Sequence, residues 1–179
     1  MYPAKTLASL MLFFSVAVQA SPLDDAMQAY DAGNYAQAAQ LLAPLAASGN
    51  PLVQLRLGML NYYGRGVKEN ELLAVELWQK SAAQGNVEAM FQLGNAYTFG
   101  TQIAKNLADP DVEAAQWYYK AATAGHAEAQ FSLGLMLLVG KGVVENRAEA
   151  LRWIRLAADQ GQPEAKRFLS TTDKGAKSP

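Results

Sequence analysis

The chain has 179 residues and a formal net charge of −1 at pH 7; 51% of its residues are hydrophobic and 17% are charged. This composition is too apolar for a disordered chain, and the small net charge with scattered basic residues argues against a nucleic-acid-binding protein. The sequence contains no cysteine, which excludes a thiol nucleophile, a disulfide framework and a cysteine metal site.

Residues 1–20 have the pattern of a signal peptide. Lys5 precedes an apolar run over residues 7–18, and Val18 and Ala20 supply small residues where a signal peptidase cleaves. A membrane anchor or a core helix is the alternative, but the run is short for a membrane span. We therefore predict cleavage after Ala20 and a periplasmic or secreted protein, with no membrane span after cleavage and no cysteine for lipid attachment.

The segments on either side of the central region predict incomplete units. Residues 21–50 are expected to form a degenerate N-terminal helix pair, because two apolar-periodic segments flank the tight turn Gly33-Asn34. Residues 163–170 repeat only the beginning of a unit and predict a C-terminal capping helix with a polar outer side. Residues 171–179 contain almost no apolar side chain and are expected to be a disordered tail.

Between these ends one pattern occurs three times, in residues 51–86 (repeat 1), 87–126 (repeat 2) and 127–162 (repeat 3). Each repeat predicts two helices, because apolar and small residues recur at helical spacing on both sides of a turn. A period of this size is typical of a stack of helix pairs rather than of one globular core. The glycines that close successive units are 36, 40 and 36 residues apart: Gly49, Gly85, Gly125 and Gly161.

Glycine also recurs inside the first helix of each repeat, at Gly58, Gly94 and Gly134. A glycine in a helix interior costs about 1 kcal/mol relative to alanine, so three in register indicate a shared reason. We expect a neighbouring helix to approach so closely that a Cβ atom would not fit. Trp78 is displaced by one residue from the register of the later tryptophans, and is expected to sit differently.

The repeated unit resembles the Sel-one-like repeat, a close relative of the tetratricopeptide repeat. The resemblance is strong over residues 51–170 and weaker over residues 24–49. It implies an all-α fold, an α/α superhelical solenoid of tetratricopeptide-like helix pairs, and a role as an adaptor or scaffold. The residues that carry it are Ala129, Leu133 and Gly134, the turn Gly140, Lys141, Gly142 and Val143, and Ala114, Trp117, Tyr118, Lys120, Ala121, Ala122 and Gly125.

The second repeat departs from this pattern. Its loop, residues 100–110, is four residues longer than the loop over residues 64–70 of the first repeat, and it lacks the second glycine and the valine of the turn. A tolerated insertion is the favoured interpretation, since surface loops accept extra length at little cost in free energy. A recognition element is the alternative.

No set of residues in the sequence predicts catalysis, a cofactor or a metal ion. The single histidine, His126, is expected to be a turn or helix-cap residue, because the equivalent positions hold Asn50, Asn86 and Gln162. An acidic cluster at residues 109–113 coincides with a predicted helix start, where acids are favoured without a metal. We therefore predict a protein that is not an enzyme and has no cofactor.

The resemblance also places ten residues of the first helices where tetratricopeptide arrays have their inner groove. Most are apolar or aromatic, which would suit a helix or an extended peptide of another protein. The alternative is that these side chains pack between neighbouring units. The candidate partner-binding residues are Leu55, Met59, Tyr62, Tyr63, Phe91, Asn95, Thr98, Phe99, Phe131 and Leu135.

Together the repeats and the signal pattern predict a non-catalytic interaction scaffold or adaptor of the bacterial cell envelope. Its partner would be another protein or peptide, an envelope component. The alternative is a protein that binds peptidoglycan or glycan, or an envelope hydrolase. That alternative requires a pocket with convergent carboxylates or a nucleophile–base pair.

Overall fold

The computed structural model describes residues 21–105 and 108–175, and all regular secondary structure in the described part is helical. This confirms the expected all-α fold. The predicted signal peptide lies outside the described residues. The helices are α1 (Pro22–Asp31), α2 (Tyr35–Ala46), α3 (Pro51–Tyr62), α4 (Glu71–Ala83), α5 (Val87–Phe99), α6 (Thr101–Ala104), α7 (Pro110–Thr123), α8 (Ala127–Val139), α9 (Arg147–Asp159) and α10 (Pro163–Gly175).

The helices pack as pairs in chain order: α1 with α2, α3 with α4, α5 with α7, and α8 with α9, while α10 packs on α9. Each pair ends at a glycine with positive φ, a conformation that glycine adopts without strain. These glycines are Gly49, Gly85, Gly125 and Gly161. The side chains that cap the following helices belong to Asn50, Asn86, His126 and Gln162. The sequence-based prediction that His126 is a helix cap is confirmed.

The two helices of a repeat approach most closely at the interior glycine of the first helix. A Cβ atom built at Gly94 would lie 2.5 Å from the ring of Tyr118, and one built at Gly134 would lie 2.6 Å from Ile154. Neither distance is compatible with a real side chain. The expected reason for the glycines, the close approach of a neighbouring helix, is therefore confirmed.

In the first repeat the residue opposite the glycine is Trp78, which explains why this tryptophan is out of register. Its ring lies against Gly58, it is fully buried, and its Nε1 donates a 3.1 Å hydrogen bond to the carbonyl of Leu55. Trp117 and Trp153, one position earlier, remain only half-buried. The shift of one residue thus moves the indole from the helix edge to the centre of the pair.

The turns of repeats 1 and 3 pack directly against the preceding unit. Gly66 and Gly142 both have positive φ, and each faces the backbone at the start of the preceding second helix. A Cβ atom at Gly66 would overlap the backbone nitrogen of Ala36 in α2, and one at Gly142 would overlap the carbonyl oxygen of Asp111 in α7. Lys141 strengthens the latter junction with a 3.1 Å ion pair to Asp111.

The longer loop of repeat 2 makes the equivalent junction with different chemistry. Its segment 101–104 forms α6, and the side chain of Ile103 is 4% exposed in the core. The buried carboxylate of Glu71, at the start of α4, accepts hydrogen bonds from the backbone N–H groups of Thr101 at 3.2 Å and Gln102 at 2.8 Å. This part of the loop is therefore a packed structural element that joins repeat 2 to repeat 1.

Helix α10 is longer than the sequence predicted. Phe168 and Leu169 pack against a buried cluster that includes Ile154 of α9, and the hydroxyl of Thr172 donates to the carbonyl of Phe168 at 2.8 Å. Since no proline or glycine interrupts residues 164–174, the anchored helix continues to Gly175. The prediction of a disordered tail is therefore wrong for residues 171–175, and residues 176–179 lie outside the described residues.

We expect Gly134→Ala to lower the free energy of unfolding by up to about 2 kcal/mol, because the added methyl group overlaps Ile154 and this overpacking, which costs about 1–3 kcal/mol, outweighs the gain of about 1 kcal/mol in helix propensity. A double-mutant cycle with Ile154→Ala, measured by urea denaturation, tests the cause. The two changes together should cost less than the sum of their separate costs. Strictly additive costs would show that the two side chains do not compete for one space.

Candidate partner-binding face

The first helices α1, α3, α5 and α8 lie side by side and form one face of the molecule, which we call the first-helix face. The hydroxyl of Tyr30 in α1 donates to Sδ of Met59 in α3 at 3.5 Å, and α5 contacts α8. The second helices α2, α4, α7 and α9 form the opposite face, where the rings of Tyr119 and Trp153 meet edge to face. The candidate residues can therefore be sorted by how much of each side chain the first-helix face exposes.

The ten candidate residues divide into three groups. Leu55 is 4% exposed and belongs to the core, so its assignment to a binding surface is corrected. The half-buried candidates are Met59, Tyr62, Phe91, Asn95, Thr98 and Phe131. The exposed candidates are Tyr63, Phe99 and Leu135.

Two of the half-buried aromatic residues fill joints between units. Phe91 stacks on the ring of His126 with 4.4 Å between centroids, and it lies 6.0 Å from the ring of Tyr118. Phe131 packs against the cluster that joins α9 to α10, which contains Ile154. At these two positions a large part of each side chain packs between neighbouring units, as the alternative interpretation predicts.

Asn95 and Thr98 hold the hydroxyl of Tyr118 on the first-helix face. That hydroxyl donates to Oδ1 of Asn95 at 2.8 Å and lies 3.3 Å from Oγ1 of Thr98, which itself donates to the carbonyl of Gly94. Burial raises the pKa of Tyr118, so the phenol stays neutral. These polar groups therefore fix the side chain that packs over the interior glycine.

Tyr62 is also held by its neighbours. Its ring lies 5.2 Å from the ring of Trp78 and 5.1 Å from that of Tyr63. Burial, followed by the negative charge of Glu71, raises the pKa of Tyr62 to about 12. The hydroxyl therefore remains protonated at physiological pH and can take part in hydrogen bonding but not act as a base.

An exposed apolar side chain occurs at the same position in every repeat, five residues after the interior glycine. Tyr63, Phe99 and Val139 are 46%, 71% and 71% exposed, respectively. We call these three residues the terminal stripe, because each lies at the C-terminal end of a first helix. Sequence reasoning missed Val139, although its distance in sequence from Gly134 equals that of Phe99 from Gly94.

A chain of polar contacts connects repeats 2 and 3 on this face. Nδ1 of His126 accepts the N–H of Ala129 at 3.3 Å, so Nε2 carries the proton and donates to Glu88 at 3.1 Å. The other oxygen of Glu88 accepts from Nε2 of Gln92 at 2.7 Å. The hydrogen bond from His126 lowers the pKa of Glu88 against the opposing effect of burial, and the bond from Gln92 adds to the lowering. Oε2 of Glu128 lies 3.3 Å from Nδ1 of His126.

Arg56 lies on the same face without an acidic partner. Its guanidinium carbon lies 4.8 Å from the centre of the Tyr30 ring, and its Nη1 lies 3.9 Å from Sδ of Met59. Within the described residues it forms no ion pair, and its Nε is buried without a hydrogen-bond partner. Sequence reasoning missed Arg56, because Gln92 and Ser132 occupy its position in the other repeats and no charge recurs there.

The opposite face carries two apolar clefts at equivalent positions. One, of about 440 Å³, lies between α7, α8, α9 and the turn of repeat 3; the other, of about 410 Å³, lies between α2, α3, α4 and the turn of repeat 1. The charged groups at the first cleft have other contacts: Lys120 lies over the ring of Trp117, and Glu149 interacts with the Asn146 side chain. In the first cleft neither Tyr119 nor Lys120 forms a hydrogen bond or ion pair with Glu149, and the described residues that line the second cleft include no charged one.

The acidic cluster at residues 109–113 serves the helix that begins there. Asp109 accepts the N–H groups of Asp111 and Val112 as the cap of α7. In the part of the chain that the structure describes, no group of three or more acidic or histidine side chains could hold a metal ion. Within the same residues, none of the helices has the length and apolar character that crossing a bilayer requires.

Glu88 gives the protein a specific pH dependence of stability. Because its pKa is lower in the folded protein than its ordinary value of 4.5, its ionised form stabilises the fold above that pH, and this contribution is lost as the pH falls through the lowered value. We expect Glu88→Gln to reduce the free energy of unfolding near neutral pH, with the difference from wild type shrinking in acid. Urea denaturation of both proteins at a series of pH values measures this difference in the free energy of unfolding.

His126→Asn is the matched variant for this prediction. Asparagine caps the equivalent helices α3 and α5, so the cap should survive while the donor to Glu88 is removed. The pH-dependent difference caused by Glu88→Gln should be much smaller in the His126→Asn background. A difference of the same size in both backgrounds would contradict the assigned role of the His126 hydrogen bond.

Comparisons with known proteins agree with this architecture. The family model described as Sel1 repeat matches residues 51–86, 87–126 and 127–162. No curated protein matches the chain. A solved Sel1 repeat protein from Oxalobacter formigenes is 39% identical with a TM-score of 0.70, and the match covers 78% of this chain and 56% of that one. The protective antigen c5321 of uropathogenic Escherichia coli, which displays an SLR fold, is 32% identical with a TM-score of 0.75, covering 85% and 33%.

A third solved structure, the Helicobacter pylori cysteine rich protein B, is 22% identical with a TM-score of 0.54 and supports the fold alone. The chain spans about half the length of the Oxalobacter protein and about a third of the E. coli antigen. The three family matches cover more than half of the chain and coincide with the pairs α3–α4, α5–α7 and α8–α9. The chain belongs to the Sel1 repeat family and folds as an α/α solenoid.

Proposed function

We propose that the protein is a non-catalytic scaffold or adaptor of the bacterial cell envelope, which binds another protein or peptide on the first-helix face, the inner side of the solenoid. Membership of the Sel1 repeat family supports a role in protein–protein interaction. The partner-binding residues of this proposal are the exposed members of the candidate set, together with Val139 of the terminal stripe.

The terminal stripe is the observation that carries this proposal. More than two thirds of the Phe99 and Val139 side chains lie outside the core, so folding does not account for apolar residues at these positions. Single exposed apolar residues are ordinary on protein surfaces, but here one recurs in each repeat at the same point of the helix. A row of apolar side chains, one per unit, suits an elongated partner such as a helix or an extended segment.

The location in the envelope rests on the signal pattern of residues 1–20. Cleavage after Ala20 would leave Ser21 at the new N-terminus, and Ser21 is the N-cap of α1. Its hydroxyl accepts the N–H of Asp24 at 3.2 Å, while the carboxylate of Asp24 accepts from the Ser21 backbone nitrogen at 3.0 Å. Removal of the signal would therefore keep the capping box of the first helix intact.

Photo-crosslinking in the native cell tests the proposed face. A photoreactive residue at position 99 should give a defined protein adduct, because Phe99 is 71% exposed at the end of a first helix. The same residue at position 156 is the control, since Leu156 is 48% exposed but lies on α9 of the opposite face. Equal adducts from both positions would contradict the assignment of the face.

Phe99→Ala should then weaken binding of the identified partner by about tenfold or more, as expected for an aromatic anchor. The free energy of unfolding should change by less than about 0.5 kcal/mol, because the side chain is 71% exposed. Leu156→Ala should leave binding unchanged. Sedimentation of the purified protein with peptidoglycan, unaffected by Phe99→Ala, would instead favour the cell-wall-binding alternative.

A further inference from the structure

Two apolar clefts occupy the same place at two junctions between units. The cleft of about 440 Å³, which we call the repeat-3 cleft, is lined by Leu137 of α8 and Tyr119 of α7, among other residues. In the cleft of about 410 Å³ these two positions hold Asn61 of α3 and Ala43 of α2. In both clefts the first residue lies three positions after an interior glycine, and the second lies six positions before a closing glycine. The two clefts are therefore one site of the fold, which recurs with the units.

At the middle junction a tyrosine of the protein fills the equivalent space. Tyr97 of α5 holds the position of Leu137, and Gln79 of α4 holds the position of Tyr119. Tyr97 is only 8% exposed, and its hydroxyl accepts a 3.2 Å hydrogen bond from Nε2 of Gln79. Its ring therefore reaches from the first helix of one repeat to the second helix of the repeat before it. Where a shorter side chain replaces this tyrosine, a cleft is left.

The repeat-3 cleft has the size and the lining that an aromatic ring requires. An apolar cavity of about 150 Å³ is enough to hold benzene. A cleft of about 440 Å³ therefore has room for a phenyl or indole ring together with part of its chain. The lining beside Leu137 is aliphatic and consists of Val112, Leu133 and Val143. Tyr119 is 52% exposed, so its ring is available for an edge-to-face contact with a ring that enters.

One positive charge at the cleft lacks an acidic partner. On α4, Lys80 forms a 2.6 Å ion pair with Glu76. The equivalent positions of α7 hold Lys120 and Gln116, and Lys120 forms no ion pair with the described residues. Its ammonium group lies 3.8 Å from the centre of the Trp117 ring instead. Because the Lys120 side chain is exposed at the cleft, a carboxylate of a bound molecule can pair with it.

The negative charge at the cleft already has its donors. Glu149 lies in the first turn of α9, where the helix dipole favours an acid. Its carboxylate accepts hydrogen bonds from Nδ2 of Asn146 at 3.3 Å and from Nε1 of Trp153 at 3.4 Å. Of the two charges at the cleft, Lys120 is therefore the one that gains a partner when an acidic molecule binds.

We propose that the repeat-3 cleft is a second protein-binding site, which takes an aromatic side chain of a partner segment with an acidic residue beside it. The ring would lie between Leu137 and Tyr119, as the ring of Tyr97 lies between α5 and α4, and the carboxylate would pair with Lys120. The site is on the face opposite the first-helix face, so it goes beyond the proposed function and does not depend on it. Leu156, the control position on that face, does not line the cleft.

Selection of random linear peptides from a displayed library tests this inference. Peptides that bind the purified wild-type protein are depleted on Leu137→Tyr, which fills the cleft with the side chain that α5 already carries at this position. The remaining peptides should share an aromatic residue next to Asp or Glu. Replacing that aromatic residue by alanine should weaken binding at least about tenfold. The bound ring should also shift the methyl resonances of Leu137 through its ring current.

Three further variants separate the ring from the charge. Tyr119→Ala removes an exposed wall of the cleft and should also weaken binding; it replaces Leu137→Tyr if that protein does not fold, which melting temperatures check. Each peptide is also made with its acidic residue changed to the amide. The acid should bind the wild-type protein about two- to fivefold more tightly than the amide, as an exposed ion pair allows, and equally to Lys120→Gln. Lys166→Gln, the same change at an exposed position of α10, should preserve the preference for the acid.

The outcomes distinguish this inference from the proposed function. Peptides that bind Leu137→Tyr and Tyr119→Ala as tightly as wild type, but lose affinity with Phe99→Ala, would overturn the cleft and support the first-helix face. A library without any peptide that depends on the cleft would overturn the inference and leave crosslinking at position 99 unaffected. Equal binding of acid and amide to the wild-type protein would overturn the role of Lys120.

A free aromatic compound is the remaining alternative occupant. The probe is p-cresol, which is the side chain of tyrosine without its backbone. Shifts of the Leu137 methyl resonances with p-cresol, in the absence of any enriched peptide, would overturn the assignment of the cleft to a protein segment. Enriched aromatic peptides that p-cresol displaces from the wild-type protein would support it.

Discussion

The distance between the two helices of a repeat is the constraint on which the rest of this solenoid depends. A glycine in the first helix lets a large side chain of the second helix lie directly against the backbone, as Tyr118 does at Gly94. That side chain is then anchored by its hydroxyl, which donates a hydrogen bond to Asn95 on the same first helix. The same contact that closes the pair therefore also decides which side chains reach the first-helix face.

Successive pairs are joined by two kinds of contact at opposite sides of the stack. Near the turns, a loop lies on the start of the preceding second helix, as Gly142 does on Asp111. On the first-helix face, the joints are made by side chains, and the contact of His126 with Glu88 and Phe91 is the clearest case. Because both sides are fixed, the first helices form a continuous and ordered surface rather than independent rods, which is what a rigid binding face requires.

The sequence was sufficient to predict the repeats and the helix pairs, because backbone constraints leave a signature in residue type. The role of Gly94 could be predicted, because only glycine fits at that position and glycine recurs at the equivalent position of each repeat. The exposure of the candidate residues could not be predicted in this way, because it depends on packing against the neighbouring unit. Leu55 is buried and Phe99 is exposed, although both are apolar and lie on first helices. Arg56 was missed for the opposite reason, because its charge occurs in one repeat only and a search for recurrence cannot find it.

The two kinds of turn have a consequence for how such an array can change in evolution. A glycine that rests on backbone atoms demands no particular side chain at that contact, so this part of a junction tolerates many different neighbouring residues. The middle repeat is different, because α6 relies on the carboxylate of Glu71 in the repeat before it. Repeats 1 and 2 are therefore expected to be inherited together as a matched pair, because α6 of one needs the carboxylate at the start of α4 of the other.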